Sequence, residues 1–417
     1  LRYFNPEKRE ECGIFCTDRA LLENPYLIYE YDRGSEDPIS IWTIDRGMFP
    51  AENISKRYPL PAPSALNGST DPRRVRALLV SILEDASQRG HTLLPQKEVV
   101  QTIRNLSIEP PCTINRDLLD LQSMETILEE RIHLCRLCSG ESAYQLDTYH
   151  SFRTLIRTFV QKRVNGKRNV VDANWRAILD TRLRNEMAAD EEEGLARCEK
   201  TEALRELAES RFSVLIGPAG TGKTTLLSAL CSEPSIRENG LLLLAPTGKA
   251  RVKLQQTTGI DVQTIAQFLL KRGRYDVKTG RYHVSSRVKE PVGRTVIVDE
   301  ASMLTEDMLG SLIDAVKGVD RFILVGDHCQ LPPIGAGRPF LDIIANLQRG
   351  LPENVFPYIS RGYAQLTVRR RQIGRNRDDL FFAEWFSGRP RSPGDDEVLS
   401  NLFLNRNGRH IQFVRWE

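Results

Sequence analysis

Between Pro72 and Leu106 the apolar positions fall at helical spacing. Val75, Leu78, Leu79, Ile82 and Leu83 predict one amphipathic helix. Asp71-Pro72 supplies its start, because proline suits the first helical turn, and Gly90 its end. Leu94-Pro95 opens a second helix with Val99, Val100, Ile103 and Leu106 on one face. Leu118 to Leu137 reads as a third long helical region, so residues 1–138 are expected to form a mostly helical N-terminal unit. Residues 139–200 read as a polar, helical connector. The pattern changes after Phe212. Ser213–Ile216, Leu241–Leu244, Thr295–Val298 and Arg321–Val325 are short apolar runs separated by helical patterns. That alternation predicts an α/β fold, a parallel sheet with helices on both faces.

Composition narrows the class. With 40% apolar and 27% charged residues, the chain has the make-up of a globular protein and not of a disordered or fibrous one. At 417 residues it can bury a core without disulfide or metal staples. No run approaches 18 apolar residues, so no membrane-spanning helix is expected, and no basic-then-apolar leader is visible. A cytoplasmic location with reduced thiols is the expectation for its eight scattered cysteines. Cys135-x-x-Cys138 has zinc-ligand spacing, with His133 beside it and Cys12 and Cys16 upstream. The plainer reading places both on one helix among Ile132, Leu134 and Leu137. The net charge of +3 neither demands nor excludes nucleic acid, so local clusters matter more. Arg153, Arg157, Lys162, Arg163, Lys167 and Arg168 lie in a stretch without acids. They could track phosphates. A solvated helix face is the preferred reading, since Phe152, Leu155, Ile156, Phe159 and Val160 supply an apolar face.

Chemistry concentrates after Phe212. Gly217-Pro218-Ala219-Gly220-Thr221-Gly222-Lys223-Thr224 fits the phosphate-binding loop pattern, after a strand and before a helical run that begins at Thr225. Glycines let backbone N–H groups converge on phosphate oxygens, and the helix N-terminus adds partial positive charge. Lys223 is expected to neutralise β- and γ-phosphates of ATP, and Thr224 to ligate Mg²⁺. Asp299 and Glu300 end a buried strand run, 75 residues beyond Thr224 (299 − 224). Asp299 would hold the Mg²⁺ shell and Glu300 would polarise the attacking water. Gly326-Asp327-His328-Cys329-Gln330 closes another strand, and Gln330 can face the γ-phosphate. Pro246-Thr247-Gly248-Lys249 forms a second phosphate-sized loop. Since ATP has its own loop, a polymer backbone is its natural ligand.

These motifs, in the order GPAGTGKT, APTGKA, VIVDEASM and LVGDHCQLPPIGAG, resemble superfamily 1 DNA helicases of the RecD-like 5′→3′ branch. The resemblance implies a RecA-like P-loop NTPase sheet. It implies that Thr264, with Ile265, belongs to a DNA-contacting motif, although Ala266 stands where the family usually has His. Leu366-Thr-Val-Arg-Arg-Arg371-Gln372 is similar to the motif opening a second RecA-like domain. By that likeness Arg371, with Arg369 and Arg370 beside it, reaches the γ-phosphate. Lys200 occupies the place of the family's adenine-reading Gln, so strict adenine selectivity is not expected. Glu23-Asn-Pro-Tyr-Leu27 and Gly90-His-Thr-Leu-Leu-Pro95 resemble RecD-like helicases with a long N-terminal extension, of which a helix-hairpin-helix remnant could be present.

The implied division is an N-terminal domain at 1–138, a connector at 139–200, a first RecA-like ATPase domain at 201–355 and an incomplete second one at 356–417. The chain begins at Leu1, so it is read as a piece of a longer product, and residues 1–417 alone are expected to hydrolyse ATP poorly. The expected activity is ATP-driven translocation on single-stranded DNA and its junctions with duplex, by a monomer. A DNA-dependent ATPase switch within a larger repair or defence complex, with protein partners, is the alternative. A DNA-binding scaffold with a decayed ATPase is disfavoured by Lys223, Thr224, Asp299, Glu300 and Gln330 all being present.

Overall fold

Asp71 caps the first long helix as the sequence predicts. Its carboxylate accepts the Arg73 N–H at 3.0 Å, with Pro72 in the first turn. The computed structural model describes residues 3, 5–11, 14–121, 128–129, 131–183, 191–218, 220–349, 355–368 and 395–404. Helix α1 (Pro72–Gln88) is buried nearly all round, so it forms the axis of the N-terminal unit. It carries two arginines inward. Arg74 makes a two-pronged contact with Asp45 at 2.8 Å on each arm, and Arg76 meets Glu30 at 2.9 Å. Tyr26 also donates to Asp45, at 2.7 Å. Such pairs tolerate burial because each charge is matched and hydrogen-bonded. Helix α2 (Gln96–Arg104) follows, with Val99 and Ile103 fully buried.

The third helical region expected over Leu118–Leu137 is not what the described residues form. A single turn spans Arg116–Leu119, and a strand follows. Strands β1 (Leu94–Pro95), β2 (Ile132–Arg136) and β3 (Ser142–Leu146) make an antiparallel sheet in the order β1-β3-β2. Successive side chains of β2 face opposite ways, with His133 and Cys135 half-buried and Leu134 and Arg136 exposed, a period of two, and β2 is held by pairing to Ser142–Leu146. Cys135 and Cys138 are therefore not neighbours on a helix. Cys135 lies on β2 and Cys138 in the turn beyond it, where Cys138 is exposed. Neither belongs to a cluster of metal-ligating donors among the described residues.

The main sheet is built from β4 (Phe212–Ile216), β5 (Leu241–Ala245), β6 (Val262–Thr264), β8 (Thr295–Val298), β10 (Arg321–Gly326), β11 (Ile359–Ser360) and β12 (Tyr363–Gln365), while β7 (Glu290–Pro291) and β9 (Val316–Lys317) pair separately. Its order is β11-β12-β4-β10-β8-β5-β6, and all neighbours but β11 and β12 run parallel. All four apolar runs read from sequence are strands of this sheet. Successive residues point to opposite faces, and both faces are covered. Val214, Leu244, Val296, Val298 and Leu324 pack against α3 (Asp147–Val164), α7 (Ile265–Lys271), α8 (Glu306–Ala315) and α9 (Pro339–Leu347). Leu215, Leu243, Ile297 and Ile323 pack against α4 (Glu191–Glu209), α5 (Lys223–Ser232) and α6 (Gly248–Thr258).

Two expected boundaries fall inside these packed units. The connector is split: β3 completes the N-terminal sheet, whereas Ile156 and Val160 of α3 enter the main core. Tyr363–Gln365, assigned from sequence to a second domain, pairs with Val214–Ile216 of β4. The basic stretch on α3 divides as an amphipathic helix does. Phe152, Ile156 and Val160 are buried, and Arg153, Arg157 and Lys162 are exposed. Arg163 lies over the Phe159 ring and donates to the Val319 carbonyl at 2.8 Å. Arg168 pairs with Glu206 at 2.8 Å. Among the described residues no helix is long and apolar enough to cross a membrane.

Candidate nucleotide site at the carboxyl edge of the sheet

The parallel strands end on one edge, and the loops that follow β4, β8 and β10 lie side by side there. The loop after β4 turns through Gly220 and Gly222, both left-handed at φ 88° and 89°, into the first turn of α5. Residues with a Cβ adopt that conformation at a cost. Gly217 is needed for a different reason. A Cβ there would lie 2.8 Å from Thr221 Oγ1 and 2.9 Å from the Leu366 carbonyl oxygen. Lys223 folds back over the loop and donates to the Gly217 carbonyl and, at 3.2 Å, to that of Pro218. Thr224 and Thr225 are half-buried in the same first turn. Ala219 lies outside the described residues.

Asp299 and Glu300 leave β8 beside this loop. Burial, and next the charge of Glu300, push the Asp299 carboxyl up to about 6. Burial pushes the Lys223 ammonium below its ordinary value, while Asp327, Glu300 and Asp299 pull it back up. Four ionisable groups from three strand ends thus share one electrostatic neighbourhood. Glu300 has φ 52°, the left-handed conformation that non-glycine residues avoid, and it is the one non-glycine residue to adopt a positive φ among the described residues. The Gln330 side chain is tied back to this turn, accepting from Ser302 Oγ at 3.5 Å. The donors available for a divalent cation are the Thr224 hydroxyl and the Asp299 carboxylate. Both are hard oxygens of the kind Mg²⁺ prefers, so the pair fits Mg²⁺.

The second loop follows β5, three strands along from β4 on the same edge, and Thr264 ends β6, the fourth. Thr247 caps α6 by accepting the Ala250 N–H at 3.3 Å, leaving Gly248 and Lys249 exposed and Pro246 half-buried. Thr264 is opposite Ala245 in the β5–β6 register. It forms a reciprocal cap with Gln267, at 3.2 and 3.1 Å, so its hydroxyl has a structural task at the start of α7. Lys200 is buried under the phosphate loop, with Nζ 3.9 Å from where a Gly222 Cβ would stand. Arg371 lies outside the described residues.

Two contributors were not read from the sequence. Lys253 of α6 acts electrostatically on both Asp299 and Lys223. Glu199, fully buried next to Lys200, accepts Thr367 N–H and Oγ1–H at 2.7 and 2.6 Å. It thereby anchors the segment that leads from Leu366 to the arginines.

Comparison with known proteins agrees with this geometry. Residues 197–352 match the AAA domain family. An uncharacterized protein of Methanocaldococcus jannaschii is 26% identical over 361 residues, 80% of this chain and 30% of that protein. The ATP-dependent RecD2 DNA helicase of Deinococcus radiodurans is 31% identical over 65% of this chain and 36% of its own length. The RecBCD enzyme subunit RecD of Mycolicibacterium smegmatis is 32% identical over 37% of this chain and 32% of its own. The chain thus spans about a third of the length of these relatives. In its motif order and in these relatives the chain is similar to RecD-type DNA helicases, with residues 197–352 matching the AAA domain.

Proposed function

We propose that this chain carries the nucleotide-hydrolysing part of an ATP-driven DNA helicase that moves 5′→3′ on single-stranded DNA and works at its junctions with duplex. One observation carries the reading: Lys223, Asp299, Glu300 and Asp327 share one electrostatic neighbourhood at the end of three adjacent strands. Phosphoryl transfer asks the protein for positioning and charge neutralisation, and these groups supply both. The backbone amides of the loop from Gly220 onward cradle the phosphates, and Lys223 leaves the loop carbonyls for the β- and γ-phosphate oxygens. Thr224 and Asp299 would hold Mg²⁺, which when bound neutralises charge on the β- and γ-phosphates. Glu300 orients the attacking water. Gln330 meets the γ-phosphate and, through Ser302, the turn that carries Glu300. By its motif Arg371 is the arginine expected to act on the γ-phosphate. Pro246–Lys249 and Thr264 border the DNA track. The relative in D. radiodurans is named an ATP-dependent DNA helicase, which supports the same reading.

ATP hydrolysis by the purified protein, with and without single-stranded DNA, tests it. Turnover should rise with DNA and fall to background in Lys223→Ala, while DNA affinity stays within a few fold. Near-normal hydrolysis in that variant would refute the site. Hydrolysis indifferent to DNA would favour the ATPase switch in a repair or defence complex.

A further inference from the structure

The turn after β10 places two donors that phosphoryl transfer does not use, His328 and Cys329, directly beside Asp327. Asp327, His328 and Cys329 each offer one ligand atom, and the three atoms lie within 4.8 Å of one another. Consecutive side chains converge in this way because the chain bends sharply. The Cys329 N–H donates to Asp327 Oδ1 at 3.0 Å and the Gln330 N–H to the Asp327 carbonyl at 3.2 Å. Asp327 is buried, while His328 and Cys329 are half-buried and accessible from the edge of the site.

We propose that Asp327, His328 and Cys329 form a binding site for a soft or borderline divalent cation of the zinc class, distinct in chemistry from the all-oxygen pair Thr224 and Asp299. Imidazole and thiolate select zinc over magnesium, which takes oxygen donors and an octahedral shell. Three protein donors leave a fourth tetrahedral position open to water or to a phosphate oxygen. At ordinary zinc bond lengths the donors would stand about 3.5 Å apart. The three therefore close by roughly an ångström, a rotamer-scale adjustment. Binding converts the Cys329 thiol to a metal-bound thiolate and releases its proton to solvent.

The consequence follows from position. Asp327 is the leading acidic influence on Lys223, and Gln330 follows directly in the chain. A cation held here withdraws the Asp327 charge from Lys223 and fixes the turn that presents Gln330. Zinc is expected to inhibit nucleotide turnover. That consequence rests on the function proposed above, whereas metal binding itself does not.

Titration of the purified protein with Co²⁺, a spectroscopic stand-in for zinc, decides the matter. The expected result is one tightly bound Co²⁺ per chain, with a thiolate-to-metal charge-transfer band, displaced by Zn²⁺. Cys329→Ser should abolish the band. His328→Gln should keep the band but weaken binding by more than about ten-fold, since even outer-sphere partners of a metal are worth that much. The double variant Cys135→Ser/Cys138→Ser should bind as the parent does. A band lost in that double variant and kept in Cys329→Ser would overturn the assignment, as would an unchanged affinity in His328→Gln. If the protein proves inactive on ATP, the function proposed above fails while the spectra still report on the metal site.

Discussion

Asp299 is costly to the fold that contains it. Its carboxyl sits at about 6 against an ordinary 3.8, because burial and the Glu300 charge both disfavour the ionised form. The folded state therefore holds this proton more tightly than the unfolded chain does. The stability it confers is present below pH 4 and is lost as pH rises through 6. Asp299→Asn removes that loss. Without nucleotide, the variant should be more stable than the parent at pH 7.5, by roughly 3 kcal/mol at most, and should converge with it near pH 4. Thermal melts at the two pH values check this, and equal melting at pH 7.5 would show that Asp299 is not strained.

Glu199 gives the opposite case, a buried acid fully used. Removing it in Glu199→Ala strands the Thr367 N–H and hydroxyl, a loss of about 1–3 kcal/mol. Glu199→Gln keeps an acceptor and should recover most of it in a denaturant titration. Residues of the loops were legible in the sequence because backbone geometry and phosphate chemistry dictate their type: Gly222 for its φ, Lys223 for its charge. Glu199 and Lys253 were not, because a charged residue on a helix carries no local mark of what it will face.

At the scale of elements, α3 shows how closely the parts are fitted. Phe152 of α3 packs on Gly310 of α8, where an added Cβ would lie 2.3 Å from the Phe152 ring. Gly310→Ala should destabilise the protein by about 1–3 kcal/mol through overpacking. Phe152→Leu in the same chain should restore part of that loss, a coupling that a double-mutant cycle of melting temperatures measures. The strands were readable from sequence because four of them are buried on both faces and appear as apolar runs bounded by polar loops. The hairpin β2–β3 was not. Five residues with one buried and one exposed leucine-sized side chain satisfy a helical template as readily as a strand, and the pairing partner at Ser142–Leu146 decides the outcome from outside the window.

Across the whole molecule, the N-terminal unit is fastened to the nucleotide-binding part at the loop that follows Gln330. The Gly337 N–H donates to the Gly90 carbonyl at 3.1 Å, just beyond the end of α1. Nearby, Arg281 donates to the Arg33 carbonyl at 3.0 Å and lies 3.6 Å from Glu84. Glu84 also pairs with Arg33 at 2.9 Å and is largely buried. The contacts across this junction leave no periodic trace, since they join residues about 200 to 250 positions apart (281 − 84, 337 − 90), so the fastening was invisible in the sequence. It gives the N-terminal unit a mechanical route to the turn that carries Gln330. Glu84→Lys replaces the shared acid with a third positive charge and should cost roughly 1–3 kcal/mol. If the fastening transmits strain to Gln330, the variant should lose DNA stimulation of hydrolysis more than basal hydrolysis, and Glu84→Gln should lose less of both. Equal losses of basal and stimulated rates would mean that the contact only stabilises the fold. The ratio of the two rates, read at a temperature where both variants remain folded, separates these outcomes.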